Sequence, residues 1–404
     1  MRGRGSSKID PNESPEQNEN VVDTFKLERE DLGFDYVFLR LPQVSGKQIA
    51  WFLLVNYCWV VAGFVQVGSV ILQAIPDYRC KTPADENFNL NYEAGTEFTP
   101  STDPCLQYQG LENICTEFND DFPAYYACFS EKKPSLQTEA CNVGYIFDNS
   151  TFTRTVSTEY ELVCENKELE SAISAIFMSG LFFGVFIFGP LMDKIGRKLS
   201  AMIAMFGISA ASLPLVLIPY HENGVWTYAA LRWLSGFFSI SAGTASFVWT
   251  MEIVGPKYRT WFGSLTQGIF SFGYMLLSLI GYLLSDWQDQ MIVILLAPLL
   301  YIPIYLFLPT SIAWLFSSRK YDRARVETKK IAASLNVNDC SESFLDKVEA
   351  SVKLQQKSGD GKVYTQIDLF KPPRMRIVTI VEMYQWFATT LVYYGYVFSF
   401  FYFL

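Results

Sequence analysis

The chain has 404 residues, 50% of them hydrophobic and 16% aromatic, with a net charge of −9. Its mean hydropathy of +0.15 and its apolar runs of about twenty or more residues exclude an ordinary soluble domain. The acidic balance gives no support for a nucleic-acid partner. No nucleotide-binding loop, zinc-ligand spacing or nucleophile triad occurs, so ATP-driven transport and enzymatic catalysis lack support, and no cofactor or metal is expected.

In chain order, residues 1–47 are a polar segment, and 1–30 are rich in Ser, Asn, Glu and Pro, a composition expected to be disordered. Seven apolar runs follow at 48–73, 170–192, 199–219, 226–254, 260–284, 290–309 and 377–403, each long enough to span a bilayer as a helix. The first run starts too late and runs too long to be a cleaved signal peptide. Between the first two runs lies a polar loop, 77–167, with six of the eight cysteines: Cys80, Cys105, Cys115, Cys128, Cys141 and Cys164. That number in one polar loop reads as a disulfide framework outside the cell, holding a small folded domain. Spacing alone leaves all fifteen pairings open. Asn149-Ser150-Thr151 in the same loop is a glycosylation sequon. Cys58 and Cys340 read as free thiols without chemistry, and the lone His221 makes no metal site. Residues 310–376 form a charged insert, helical over 320–335 and 343–356 and broken at Ser358–Gly361.

Lys194, Arg197, Lys198, Lys257, Arg259 and the basic stretch 319–376 all fall in alternate loops, while 220–225 and 285–289 hold no Lys or Arg. By the positive-inside rule these basic loops and the amino terminus are cytoplasmic. The chain is thus expected to be an integral protein of the plasma membrane, with the lipid bilayer as its surroundings.

The second run ends in Gly189-Pro-Leu-Met-Asp193-Lys-Ile-Gly196-Arg197-Lys198. An acid leaving the membrane, a basic cluster in a very short loop, and two glycines for close packing and a tight turn form the pattern G-x-x-x-D-K/R-x-G-R-K/R. It resembles the loop between helices 2 and 3 of the major facilitator superfamily. Further motifs resemble one branch, the organic cation, organic anion and carnitine transporters. These are the six-cysteine loop, Thr158–Ser171 leading into the second run, and Arg232-Trp-Leu-Ser-Gly236. Glu252-Ile-Val-Gly255-Pro-Lys-Tyr-Arg259 follows, then Met383-Tyr-Gln-Trp386-Phe387 and Tyr393-Tyr-Gly395. The resemblance runs from about residue 45 to 404. It implies an all-α polytopic membrane protein with the major facilitator fold: an N-terminal six-helix half (48–309) with a disulfide-rich extracellular loop, a cytoplasmic loop (310–376), and helix 7 (377–404). Its implied substrate is a small organic ion moved by alternating access.

The same resemblance assigns roles. Gly189, Asp193, Gly196, Arg197, Lys198, Glu252 and Arg259 belong to a gating motif, with Asp193, Arg197 and Glu252 as one charge network; the alternative is a weak surface ion pair. Gln267, Trp386 and Tyr393 match cavity-lining positions, where aromatic faces suit organic cations; the alternative is membrane packing. Arg232 is a charge inside the membrane, sharing a face with Gly236, Ser239 and Gly243. It reads as a substrate contact or as a packing arginine bonded to another helix. Glu382 attracts a cation or snorkels to water. Gly180-x-x-x-Gly184 is a helix-packing motif.

Departures are equally specific. Pro309-Thr-Ser-Ile-Ala-Trp-Leu315 stands where the family has P-E-S-P-R-W-L, and Ala388–Thr390 are neutral where cation carriers often have an acid. The run of helices stops at Leu404, so the expectation is an incomplete transporter. Two other readings are weighed. A seven-helix receptor places the cysteine loop and the basic loops on the wrong sides. A truncated, non-transporting form would assemble with a full-length transporter homologue.

Overall fold

The computed structural model describes residues 35, 37–38, 41–42, 44–100, 103–110, 114–115, 118, 121–217, 224–337, 341–358 and 366–403. The disorder expected of 1–30, His221, Cys340 and the break after Ser358 lie outside the described residues. The chain divides into two units, 34–346 and a second made of 1–33 with 347–404. Each is described by itself.

The first unit is a helical bundle with a disulfide-bonded domain at one end. Helix α1 (Gly46–Leu72) starts where the Ser45 hydroxyl accepts from the Gln48 amide, filling one of the orphan donors of a helix start. The chain then leaves for the disulfide-bonded domain and returns as α3 (Lys167–Ile195). Within that domain β1 (Tyr78–Cys80) pairs antiparallel with β4 (Tyr145–Phe147), and β2 (Leu106–Tyr108) with β3 (Thr138–Ala140). Between them α2 (Phe122–Lys132) lays Tyr125 and Phe129 against Phe98, Ala84 and Cys115. So small a core is reinforced covalently. The pairs are Cys80–Cys141, Cys105–Cys164 and Cys115–Cys128, one pairing out of the fifteen left open by spacing.

The bundle continues with α4 (Arg197–Leu217), α5 (Gly224–Ile253), α6 (Arg259–Leu283), α7 (Trp287–Leu296) and α8 (Tyr301–Phe307). Helix α5 is the centre: α1, α3 and α4 all pack on it, α6 packs on α1, and α7 on α4. Its position explains its sequence. Among the described residues five helices are long and apolar enough to cross a membrane: Gly46–Leu72, Cys164–Ile195, Arg197–Leu217, Pro256–Leu283 and Trp287–Phe307. The fourth apolar run is not among them, although α5 is 30 residues long. Ser235, Ser239, Ser241, Ser246 and Thr250 lower its apolarity, and all are buried against other helices rather than lipid. Small side chains there let neighbouring backbones come close.

The sixth run is not one continuous helix. Pro298 cannot donate to the ladder, and residues Ala297–Leu300 tighten into a 3₁₀ turn between α7 and α8. Neighbouring helices take up the loosened carbonyls. The Ser209 hydroxyl donates to Leu295 O at 2.8 Å, and the Tyr57 hydroxyl to Ala297 O at 2.9 Å. A backbone carbonyl in hydrocarbon needs such a partner.

Beyond the bundle, α9 (Tyr321–Ser334) and α10 (Glu342–Ser358) follow. Arg325 bridges both Glu342 and Asp346, and Lys329 also meets Glu342. In the second unit, α11 (Pro373–Phe403) is a 31-residue helix. It and α5 fall outside the five spans above, but the seven apolar runs read from the sequence all fall on helical segments.

Candidate functional site

The residues of the second-run motif converge at the end of the bundle away from the disulfides. Arg197, at the start of α4, lies between two carboxylates. Its Nη1 is 3.0 Å from Asp193, one helical turn back, and its Nε donates to Glu252 Oε1 at 3.0 Å. Glu252 is the last charged residue of α5, so the pair ties α5 to the α3–α4 turn. The Ser311 hydroxyl donates to the other Glu252 oxygen, bringing in the segment after α8. Arg197 and Glu252 have side chains only 11% and 16% exposed, which separates this pair from a loose surface bridge. Asp193, at 69%, is on the rim.

The turn itself packs closely. Gly196 has φ +95°, a conformation that costs other residues a clash. Its α-carbon faces the Trp314 ring, where an added Cβ would meet ring atoms at 3.1 Å. The Trp314 indole donates to Asp193 O at 2.8 Å. Lys198 donates to Leu308 O at 2.7 Å and lies over the Tyr305 ring. Replacing Glu252 by Gln is expected to lower the stability of the solubilised chain by about 1.5–3 kcal/mol, the usual worth of hydrogen bonds to charged groups. A thermal melt in detergent measures it.

Two members of the expected motif stand elsewhere. Arg259 is outside the network; its guanidinium pairs with Asp35, and its Nε donates to Met251 O at 2.9 Å. The motif implies close packing at Gly189, but among the described residues nothing lies within 4 Å of a Cβ added there. Gly189→Ala should therefore raise the thermal midpoint slightly, by the ~0.5–1 kcal/mol that alanine gains over glycine inside a helix.

Arg232 is fully buried in the seam between α1 and α5. It donates to Val65 O at 3.0 Å and to the Ser69 hydroxyl at 2.5 Å, and lies 4.6 Å from the centre of the Phe177 ring. The arginine read from sequence as a substrate contact or a packing residue is thus buried among neighbouring helices. The small-residue face beside it divides between two neighbours. Gly236 lies against Phe177 of α3, Gly243 against Trp59 of α1, and Ser239 near Gln66. Lower in the same seam Asn56 donates to the Thr250 hydroxyl at 2.8 Å.

Gln267 is exposed on α6. Trp386 and Tyr393 lie two turns apart on one face of α11 and are exposed, as is Glu382. They belong to the second unit. Asn149 is exposed in a turn after β4. No group of His, Cys, Asp and Glu among the described residues has the arrangement to hold a metal ion.

At the opposite end a second tie holds the disulfide-bonded domain to the bundle. Arg154 bridges Asp286, the capping residue of α7, at 2.8 Å and also reaches Gln288. Trp287 donates its indole N–H to Glu159 at 2.5 Å. The Thr155 and Ser157 hydroxyls donate to Ala74 O and Gln73 O at the end of α1. The sequence reading missed these contacts, whose partners are more than a hundred residues apart for the α7 side.

The geometry is that of a bundle of long apolar helices around a polar, small-residue central helix, with a charge cluster at one end and a disulfide-bonded domain at the other. The profile of the family described as Sugar (and other) transporter matches residues 138–402. The chain belongs to that family, and within the major facilitator superfamily it is a relative of the solute carrier family 22 proteins. The Drosophila melanogaster "Organic cation transporter protein" is 29% identical over 90% of this chain and 65% of its own length. The human "Organic cation/carnitine transporter 2" is 27% identical over 90% of this chain and 64% of its own. "Solute carrier family 22 member 7" of Bos taurus is 29% identical over 81% of this chain and 59% of its own. The chain therefore spans about two thirds of the length of these relatives or less. Among solved structures, the proton:xylose symporter XylE bound to 6-bromo-6-deoxy-D-glucose shares 14% identity. It gives a TM-score of 0.47 over 77% of this chain and 54% of that one.

Proposed function

We propose that the chain takes part in transmembrane movement of small organic ions by alternating access, its Asp193–Arg197–Glu252–Ser311 latch closing the cytoplasmic end. The latch is the observation that carries this reading. It joins three separate elements, α3–α4, α5 and the segment after α8, through one partly buried guanidinium. Breaking that cluster removes one shared tie from all three. Membership of a transporter family supports the same reading, and relatives named for organic cations and carnitine point to the substrate class. Basic residues at the latch end and disulfides at the other agree with a cytoplasmic amino terminus and an extracellular cysteine-rich domain in the plasma membrane. Asn149, exposed on that domain, is the proposed glycan site.

Within this reading Gln267, Trp386 and Tyr393 remain the proposed substrate contacts. Arg232 is assigned instead to holding α1 against α5, since its burial leaves a substrate no approach. The test is uptake of a radiolabelled quaternary ammonium, a carnitine-like zwitterion and an aromatic carboxylate. Cells express the chain alone, or beside a twelve-helix homologue. Uptake that falls on Trp386→Ala supports the proposal. Co-purification with the homologue, with uptake indifferent to the chain's own Trp386→Ala, favours the non-transporting partner instead. Neither uptake nor association sinks both.

A further inference from the structure

The segment before α1 is tied into the latch end by three kinds of contact. Asp35 meets Arg259 with both oxygens, at 2.5 and 3.1 Å. Val37, Phe38 and Leu41 are buried, at 0%, 7% and 4% exposure. Gln48 of α1 donates to Pro42 O and to Ile253 O, at 3.2 and 3.3 Å, linking this segment to the last turn of α5. The three apolar side chains line a narrow cleft with Glu252 and Ile253 from the end of α5, Thr310 and Ile312 from the segment after α8, and Ile331 from α9. Its volume is about 20 Å³, room for one water. Four elements that lie far apart in the chain thus meet on one short stretch.

We propose that Asp35, Val37, Phe38 and Leu41 form a strap that holds the latch end shut, and that the strap must leave before Glu252 can part from Ser311. This rests on the gate reading above and adds to it a second lock, with its own charge pair and its own apolar anchor. The geometry has two consequences. Arg259 sits at the head of α6, so the Asp35–Arg259 pair restrains a helix that the latch does not touch. Phe38 and Leu41 line the cleft beside Glu252, whose side chain is only 16% exposed, so the strap narrows cytoplasmic access to the carboxylate and widens it on lifting. The ion pair is about 30% exposed on each side, so it sets the position of the strap while the buried apolar residues supply most of the hold.

The experiment is labelling of Thr310→Cys by a membrane-impermeant maleimide on inside-out vesicles bearing the whole chain, in a Cys340→Ser background; Cys58 is buried. Thr310 lines the cleft and is half-buried, so a rise in its labelling above the parent rate reports the lifting of the strap. Asp35→Asn is expected to raise the labelling rate about threefold to fivefold, the equivalent of an exposed ion pair. Phe38→Ala should raise it further, and Asp35→Glu should stay at the parent rate. Arg197→Gln serves as the comparison, since it weakens the latch without touching the strap. Faster labelling with Arg197→Gln but a parent rate with Asp35→Asn and Phe38→Ala would overturn the strap and leave the latch standing. Parent rates for all of them would overturn both. Should Phe38→Ala fail to fold, Asp35→Asn alone decides, because a pair about 30% exposed on each side is not needed for folding.

Discussion

Replacing Gly180 by Leu should abolish the folded bundle. A Cβ at Gly180 would lie 2.3 Å from Trp233 O, and one at Gly184 would lie 2.4 Å from Phe237 O. Both obstacles are backbone atoms of α5, so no rotamer change clears them; α3 has to move away. That separation would strip contacts along the whole α3–α5 interface, including the Phe177 ring wedged beside Gly236 and Arg232. Overpacking by a few methylenes already costs about 1–3 kcal/mol in a core whose atoms can shift. Here the cost should be above that range, because association between membrane helices depends on close packing rather than on escape from water. The measurement is the monodisperse fraction after solubilisation and its thermal midpoint. A Gly180→Leu chain that melts with the parent would show that α3 and α5 are not held by this contact.

The second large effect is expected in the disulfide-bonded domain. Arg79 and Asp85 form an ion pair with side chains 3% and 2% exposed. The guanidinium also donates to Tyr92 O, Asn91 O and Cys80 O, and Asp85 accepts from the backbone and hydroxyl of Thr82. Asp85→Asn keeps the shape but leaves Arg79 a buried charge with no counter-ion, a change that costs about 3–5 kcal/mol. The domain has few buried apolar side chains to absorb that. The expected result is mixed disulfide species on a non-reducing gel and a lower melting midpoint for the whole chain. Replacing both partners, Arg79→Met with Asp85→Leu, should recover part of the loss, since the penalty lies in the orphaned charge.

The elements most legible in the sequence were those that a local pattern encodes. Apolar length placed the helices, and the Gly196–Arg197 turn followed from an acid, a glycine and a basic cluster in a fixed frame. Glu252 came with the same kind of frame at the end of α5. What stayed hidden had partners distant in sequence or made of backbone. Asp35 and Arg259 are 224 residues apart, and nothing in either neighbourhood announces the other. Arg232 was visible as a membrane charge, yet one of its partners is the carbonyl of Val65, which any residue supplies. Ser311 was read only as part of a frame that had lost its acid and its arginine. The structure shows that the serine left in that frame is the one that reaches Glu252. Gly189 is the opposite case: its motif implies close packing, but among the described residues nothing lies within 4 Å of a Cβ added there.

The tie between the disulfide-bonded domain and the bundle has a practical meaning for imaging. That domain is continuous with α1 and α3, and Arg154, Glu159 and Trp287 anchor it to the head of α7 as well. A mass attached at three points cannot swivel as a single-stalk domain would. An antibody fragment raised against it would therefore act as a fiducial, carrying the orientation of the helices into particle alignment. Arg154→Ala would blur that alignment while leaving the binder in place.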